Sequence, residues 1–174
     1  MIEHIALRAI TATDVPAVRE LHARSFTELA REHHSEIEIA AHAALIFSAD
    51  YADELAGANI SLAIDPTGRI VATAGWQAMA DRADTARIRK VFVDPGMARR
   101  GLGRHMVEDA EMRARRCGFA DFYVRANINA VPLYRVLDYR EIEAGVMMVG
   151  SAVALPVVYM EKTRAIPSRR SGGA

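Results

Sequence analysis

The sequence predicts an α/β domain in which helices cover both faces of one mixed sheet. Apolar residues alternate with polar ones in some segments, as in half-buried strands, and recur every three or four positions in others, as in amphipathic helices. These segments follow the order strand, helices, three strands, helix, strand, helix, two strands, which is typical of the α/β class. The chain of 174 residues has the length of one domain and can bury about 70% of its unfolded surface.

The N-terminal part is predicted to form one strand followed by three helices. The strand covers Ile5 to Ile10. The first helix follows in TATDVPAVRELHARSF, with Thr13 as its N-cap and Pro16 in the first turn, where the missing N–H does little harm. Ser35 and Glu38 have the spacing of a capping box and predict the start of a second helix. SADYADELAG predicts a third, short helix.

The middle of the chain is predicted to form a hairpin, a third strand and a long helix. NISLAID and RIVATAGWQAM read as strands joined by the turn PTG, and ADRADT as a polar loop before the strand ARIRKVFVD. The helix over Gly101–Cys117 has an apolar stripe formed by Leu102, Met106, Ala110, Ala114 and Cys117. Cys117 is therefore expected in the core.

The C-terminal part is predicted to form a strand, a short helix and two final strands. The strand is DFYVRA, the helix AVPLYRVL, and the last strands REIEAGVMMVG and ALPVVYMEK. We expect one domain over residues 1–164. The tail, AIPSRRSGGA over residues 165–174, has few apolar residues and is expected to be disordered.

Composition argues against several classes of protein. The 22 basic and 22 acidic residues cancel, so no net charge attracts nucleic acid or an anionic membrane. No apolar run is long enough to cross a membrane, and Glu3 and His4 do not suit a signal peptide. Cys117 is the single cysteine, which fits a reducing compartment, and the histidines lack metal-ligand spacing. We expect a cytoplasmic protein without metal, nucleic-acid or membrane partners.

A glycine-rich loop, within VFVDPGMARRGLGRHM, joins a predicted strand to the long helix. It does not fit the dinucleotide fingerprint, because Met106 occupies the third glycine position. It does not fit a P-loop either, because Leu102 and Gly103 replace the lysine and the hydroxyl residue.

The start of this helix nevertheless predicts an anion site. The first four N–H groups of a helix have no partner inside it and attract anions. Glycines would leave that backbone open, and three arginines could add charge-assisted hydrogen bonds: Gly101 and Gly103, and Arg99, Arg100 and Arg104. Alternatively, the glycines only permit a tight turn and the arginines are solvated.

The same segment resembles the acetyl-CoA-binding motif of the GNAT acetyltransferase superfamily, a strand ending in hydrophobic-Val-x-Pro, a loop (Gln/Arg)-x-x-Gly-x-(Gly/Ala) and a helix. NAVPLYRVLDY resembles the second signature, Asn-Ala-x-x-hydrophobic-Tyr-x-x-x-Gly-Phe. LRAITATDVPAVREL and LPVVYMEK resemble the first and last elements, so the resemblance covers about residues 5–163. It implies the GNAT fold, a mostly antiparallel sheet splayed at its centre. Two departures are Ala98, in place of Gln or Arg, and Asp138–Tyr139, in place of Gly-Phe.

The resemblance implies acetyl-CoA as cosubstrate and a set of residues that bind it. The pantetheine amides would bind the backbone of Val91, Phe92 and Val93. The pyrophosphate would bind the backbone amides of Arg99, Arg100, Gly101, Leu102, Gly103 and Arg104. Asn129 would lie near the pantetheine arm, or would instead cap the short helix, a role that asparagine fills well.

Acyl transfer to an amine requires that the ammonium loses a proton and that the CoA thiolate gains one. Tyr134 occupies the position of the family's tyrosine, whose role is general acid, and a phenol stays protonated at neutral pH. The central strand carries no carboxylate before Asp94, so the base that some relatives have there is missing. Water relayed to a backbone carbonyl or to a residue elsewhere in the chain could take its place, as could His33 or His34.

The resemblance therefore implies an N-acetyltransferase that transfers acetyl directly to a primary amine of a small molecule or peptide, without a covalent enzyme intermediate. The alternative is a catalytically silent acyl-CoA-binding sensor or partner module. Arg87, Arg89 and Lys90 suggest an acidic acceptor, although neighbouring strand residues face opposite sides. Small amines, amino acids, antibiotics and peptide termini all remain open, and a homodimer, common in the family, is a further expectation.

Overall fold

Seven strands form one sheet in the computed structural model of the protein, which describes residues 4–150 and 152–164. The strands are β1 (Ala6–Ala9), β2 (Asn59–Ile64), β3 (Ile70–Met79), β4 (Arg82–Val93), β5 (Asp121–Asn127), β6 (Arg140–Val149) and β7 (Val153–Lys162). Their order in the sheet is β1-β2-β3-β4-β5-β7-β6. Neighbours are antiparallel except β4 and β5, which run parallel. The expected mixed, mostly antiparallel sheet is confirmed, and the tail predicted over residues 165–174 lies outside the described residues.

Helices cover both faces of this sheet, as predicted. In the described residues they are α1 (Val15–Leu29), α2 (Glu36–Ile46), α3 (Ala49–Gly57), α4 (Leu102–Arg116) and α5 (Val131–Arg135). On one face, Met106 of α4 joins an apolar cluster with Ile88 of the sheet. On the other, Val18 of α1 and Leu55 of α3 cluster with Leu62. Among the described residues, none of the helices combines the length and the hydropathy that a membrane crossing requires.

The sheet opens between its two parallel strands. β4 and β5 pair only at Thr85↔Asp121, Ala86↔Phe122 and Arg87↔Tyr123. Beyond these pairs β4 stays with β3 as far as Val93, and β5 stays with β7 as far as Asn127. Within the described residues, the two strands therefore diverge after Arg87, which confirms the central splay that the resemblance implied.

Local side-chain hydrogen bonds set the starts of α1 and α2. The Ser35 hydroxyl accepts the Glu38 N–H at 3.3 Å, and the Glu38 carboxylate accepts the Ser35 N–H at 2.7 Å, which confirms the predicted capping box. The N-cap predicted at Thr13 is wrong. A short 3-10 turn precedes α1, and Thr11 caps that turn, because the Asp14 carboxylate accepts the Thr11 N–H at 2.8 Å.

Two further sequence-based predictions differ from the structure. The polar stretch predicted as a loop contributes to β4, because Arg82 pairs with Met79 across a tight hairpin. Cys117 is exposed rather than in the core. The apolar stripe of α4 ends at Ala114, and the chain turns away at Gly118, whose φ of +96° is left-handed. Tertiary pairing and the helix end decide these positions, and neither is visible in the periodicity.

Candidate active site

A cavity of about 290 Å³ lies where β4 and β5 separate. Both strands contribute to its walls, together with α5 and the end of β6. The other walls come from α2 and from α3 on the opposite side of the opening. Of the residues predicted to form the site, Val91, Phe92 and Tyr134 line this cavity directly.

The end of β4 presents backbone groups to the opening. The Asp94 N–H donates to the Val71 carbonyl of β3 at 2.7 Å. Because successive residues of a strand direct their N–H and C=O groups to opposite neighbours, Phe92 also pairs with β3, and Val91 and Val93 face the opening. Two of the three residues predicted to bind pantetheine through the backbone thus have groups directed there.

A bulge precedes these residues. Lys90 has a left-handed φ of +56°, and the register of β3 and β4 shifts beside it. The Thr73 hydroxyl donates to the Lys90 carbonyl at 2.6 Å, and buried His22 contacts the same hydroxyl at 2.8 Å. The His22 ring also stacks on Phe92 with 4.0 Å between centroids. These contacts fix the direction in which β4 leaves its parallel partner.

The loop from β4 to α4 is held by a buried carboxylate. Asp94 accepts the Gly96 N–H at 2.9 Å and forms ion pairs with Arg24 at 2.5 Å and Arg69 at 3.2 Å. Further along the loop, Gly101 has a left-handed φ of +84°. A side chain there would be strained, so glycine at this position has a backbone reason besides the open approach predicted from the sequence.

The N-terminus of α4 adjoins the end of the opening. Its first internal bond runs from the His105 N–H to the Gly101 carbonyl at 3.0 Å. The N–H groups of residues 102–104, which belong to Leu102, Gly103 and Arg104, therefore have no carbonyl within the helix to bind. A Cβ on Gly103 would lie 3.5 Å from both Val93 and Leu133, which joins this helix end to β4 and α5.

The three arginines of the loop are solvent-exposed. Arg104 forms an ion pair with Glu108 on the next turn of α4, at 2.8 Å. The Arg100 guanidinium lies 4.0 Å from the Met97 sulfur, and Arg99 has a left-handed φ of +61°. Arg104 is thus already engaged with its own helix.

Asn129 lies in the turn between β5 and α5, next to Ala130 of the cavity wall. Its side-chain oxygen is buried and has no hydrogen-bond partner among the described residues. Asn127 caps the turn and Ala130 precedes α5, so the alternative role of Asn129 as N-cap is wrong. A buried acceptor without a partner is costly unless a ligand supplies the donor.

Tyr134 of α5 is only 3% exposed, and it lines the cavity. Its ring contacts Tyr139 edge to face, with 5.3 Å between centroids. Burial, and secondarily the nearby Glu111, raises the pKa of the Tyr134 phenol above its ordinary value. The hydroxyl therefore stays protonated at neutral pH and can donate to an anion that forms beside it.

The departure from Gly-Phe after α5 has a structural explanation. Asp138 adopts a left-handed φ of +66°, the conformation for which the motif has glycine. The Tyr139 hydroxyl, which phenylalanine lacks, donates to buried Glu111 at 2.9 Å. The same carboxylate binds Lys162 at 2.8 Å and Arg115 at 2.9 Å. This replacement anchors α5 to α4 and β7.

Four cationic side chains line the cavity, and among the described lining residues they face one carboxylate, Glu54 of α3: they are Arg87, Arg89, Lys90 and Arg125. Glu54 forms ion pairs with Arg89 and, at 2.7 Å, with Lys90. Burial, together with Arg89 and Arg87, lowers the pKa of Lys90 to about 8, although Glu54 opposes this change. The cavity therefore disfavours a further positive charge.

Neither histidine proposed from the sequence lines the cavity. His33 is exposed, and buried His34 lies 3.6 Å from Glu38 at the start of α2. His42 of α2 does line the cavity, and sequence analysis missed it. Burial and the charge of Lys90 lower the pKa of His42 to about 4, so it is neutral at pH 7. Its spacing of four residues from apolar Ile46 is the sequence signal that places it on the inner face of α2.

An opened sheet, a helix capped by glycine and a buried tyrosine all lie in a part of the chain that matches a known protein family. A family model described as "Acetyltransferase (GNAT) family" matches residues 15–139. The chain belongs to the GNAT acetyltransferase family. The matched range contains both signatures on which the sequence resemblance rests.

Solved structures of GNAT proteins share this fold. A GCN5-related N-acetyltransferase from Rhodopseudomonas palustris aligns with a TM-score of 0.80 and 22% identity, over 91% of this chain and 95% of that one. The PaiA N-acetyltransferase of Thermoplasma acidophilum, in complex with coenzyme A, gives 0.73 and 15%, over 92% and 99%. A phosphinothricin acetyltransferase from Sinorhizobium meliloti, in complex with AcCoA, gives 0.62 and 18%, over 91% and 88%. Among curated proteins, no sequence matches the chain.

Proposed function

We propose that this GNAT protein is an N-acetyltransferase that transfers the acetyl group of acetyl-CoA directly to a primary amine of a small molecule or peptide. The observation that carries the proposal is the opening between β4 and β5, which has unpaired backbone groups on one side and a buried tyrosine on the other. Family membership supports acetyl transfer, and CoA or AcCoA in related structures supports acetyl-CoA as the cosubstrate.

Three groups of residues fit the parts of CoA. The N–H groups of Leu102, Gly103 and Arg104 suit the pyrophosphate, because they have no partner inside α4. The backbone groups of Val91 and Val93 face the opening and suit the pantetheine amides, whereas the backbone of Phe92 pairs with β3, so its predicted role in binding them is wrong. The unpartnered oxygen of Asn129 suits an amide N–H of the same arm. Arg99, Arg100 and Gly101 complete the loop around the pyrophosphate.

The charges of the cavity prepare the acceptor for attack. A bound ammonium would share the cavity with four cations and one carboxylate, so its pKa falls as that of Lys90 does. This effect reduces the need for a strong general base. The side chain of Glu54 is 46% exposed and links the cavity to bulk water, which provides a route for the departing proton.

Release of thiol in the presence of different amines tests this function. Purified protein and acetyl-CoA are incubated with a panel of small amines, amino acids and peptides, and the free thiol of CoA is followed with a thiol reagent. We expect release that depends on the amine, together with an acetylated product seen by mass spectrometry. Reactions without amine correct for hydrolysis. CoA binding without release for any amine class would contradict the proposal and favour the silent acyl-CoA-binding module.

Two further expectations accompany this function. We propose a homodimer that forms at β6, since this edge strand exposes Ile142, Val146 and Met148. Light scattering of the protein as it elutes from a size-exclusion column should give twice the chain mass of 19.1 kDa, and the mass of one chain would contradict the dimer.

We also propose a cytoplasmic location, which the single cysteine, Cys117, supports.

A further inference from the structure

Two arginines in the cavity have no hydrogen-bond or ion-pair partner among the described residues. Arg87 of β4 lies opposite Tyr123 of β5, and Arg125 follows two residues later on the same face of β5. Neither guanidinium forms an ion pair or a hydrogen bond with any residue that the structure describes. The buried Arg87 Nε has no hydrogen-bond partner among the described residues, which is also true of the Arg89 Nε. Burial and the charge of Arg125 lower the pKa of Arg87 to about 10, so the two charges destabilise each other.

The neighbouring cations differ because they are compensated. Arg89 forms an ion pair with Glu54 and a hydrogen bond with Gln77 at 2.5 Å. Lys90 shares Glu54, and its ammonium lies 3.4 Å from the centroid of the Tyr51 ring. Uncompensated charge in the cavity therefore resides mainly on the Arg87–Arg125 pair.

A protein gains nothing in stability from two like charges that are partly buried and unpaired. Such a pair is typical of a site that binds an anion. A guanidinium group can bind a carboxylate or a phosphonate through two parallel N–H···O hydrogen bonds, in bidentate geometry. We infer that the acceptor is an anionic amine, whose oxyanion binds Arg87 and Arg125 while its amine faces the thioester. This inference rests on the proposed acetyltransferase function.

The position of the pair favours the acceptor over CoA as its ligand. On β4 and β5 the side chains of Ile88 and Val124 lie in the cluster formed with α4, whose N-terminus would hold the pyrophosphate. Arg87 and Arg125 alternate with these residues along the strands, so they lie on the opposite face of the sheet. That face carries Glu54 and His42, which approach from α3 and α2.

Matched acceptors test the inference. Straight-chain amino acids from glycine to 6-aminohexanoate would be compared with their carboxamides and with the corresponding aminoalkylphosphonates. For at least one chain length, we expect kcat/KM to favour an anionic acceptor over its carboxamide by about 10–100-fold, the equivalent of one charge-assisted hydrogen bond. A short carboxamide lowers the pKa of its amine and so supplies more of the nucleophile, which makes the comparison conservative. The phosphonates distinguish the two kinds of oxyanion.

Variants assign the preference to the arginine pair. In Arg87→Gln and Arg125→Gln, the ratio of kcat/KM for the anionic acceptor over its carboxamide should fall toward one, while CoA binding by calorimetry stays as in the wild type and reports an intact fold. Arg82→Gln is the matched control, because it removes a charge from β4 outside the cavity lining and should preserve the ratio.

The outcomes separate this inference from the proposed function. A wild-type protein that acetylates amines without preferring anions would overturn the anionic acceptor and leave the acetyltransferase standing. A preference that survives in both arginine variants would also overturn the assignment. Absence of thiol release with every amine would overturn both.

Discussion

Tyr134→Phe is expected to lower kcat by about 10²–10⁴-fold, the usual contribution of a positioned general acid. The substitution removes one hydroxyl and retains the ring that packs against Tyr139. CoA affinity should change little, since the proposed CoA-binding groups come from β4, α4 and Asn129. Steady-state thiol release gives kcat, and calorimetry gives the affinity.

Tyr139→Phe is the matched control for this prediction. This variant also removes a buried hydroxyl, on a ring whose centroid lies 5.3 Å from that of Tyr134. The Tyr139 hydroxyl, however, donates to Glu111 and does not line the cavity. We expect a loss of about 1–3 kcal/mol in the free energy of unfolding, because Glu111 loses a donor, with kcat preserved. An unchanged kcat in Tyr134→Phe would remove Tyr134 from the mechanism.

Gly103→Val is expected to weaken CoA binding by about 10–100-fold, roughly 1.4–2.8 kcal/mol, because a branched side chain in the first turn of α4 would hinder the approach of the pyrophosphate to its N–H groups. A Cβ at this position has ordinary contacts with Val93 and Leu133 at 3.5 Å, so alanine should fit the folded protein. Valine adds two methyl groups to that Cβ and so crowds the start of α4, where Val93 and Leu133 are already within contact distance. Calorimetric titration with CoA measures the change.

The choice of glycine matters for this test. Gly101 has a left-handed φ of +84°, so any substitution there would strain the backbone and confuse sterics with conformation. Gly57→Val is a suitable control. Gly57 is the last residue of α3, and a Cβ added there would have no neighbouring atom within 4 Å. Equal CoA affinities in the wild type and Gly103→Val would contradict the assigned pyrophosphate site.

Much of the fold follows from local signals in the sequence. Alternating apolar residues in NISLAID and the Ser35–Glu38 capping box lie close in the chain to the elements they specify, so β2 and α2 are correctly predicted. The start of β4 at Arg82 and the exposure of Cys117 depend on a hairpin pairing and on a helix end, and periodicity reports neither. The splay of the sheet came from the family resemblance, because hydropathy does not reveal where two parallel strands separate.

The candidate site is only partly visible in the sequence for the same reason. The glycine-rich loop and Tyr134 could be predicted because each lies within a short, contiguous sequence motif. His42 and Glu54 reach the cavity from α2 and α3, far from either motif, and only the packing of those helices brings them there. The sequence also does not show that Arg87 lacks an ion pair, because this depends on the tertiary structure, in which Glu54 pairs with Arg89 and Lys90 instead.

A crystal structure of the protein with CoA would show whether the cofactor binds between β4 and β5. We expect pantetheine between residues 88–93 of β4 and 124–127 of β5, with the pyrophosphate bound by the N–H groups of Leu102, Gly103 and Arg104. We also expect a hydrogen bond from an N–H group of the pantetheine arm to the Asn129 oxygen. A structure in which the opening is empty, or in which CoA binds elsewhere and Asn129 stays unpaired, would contradict this mode of binding.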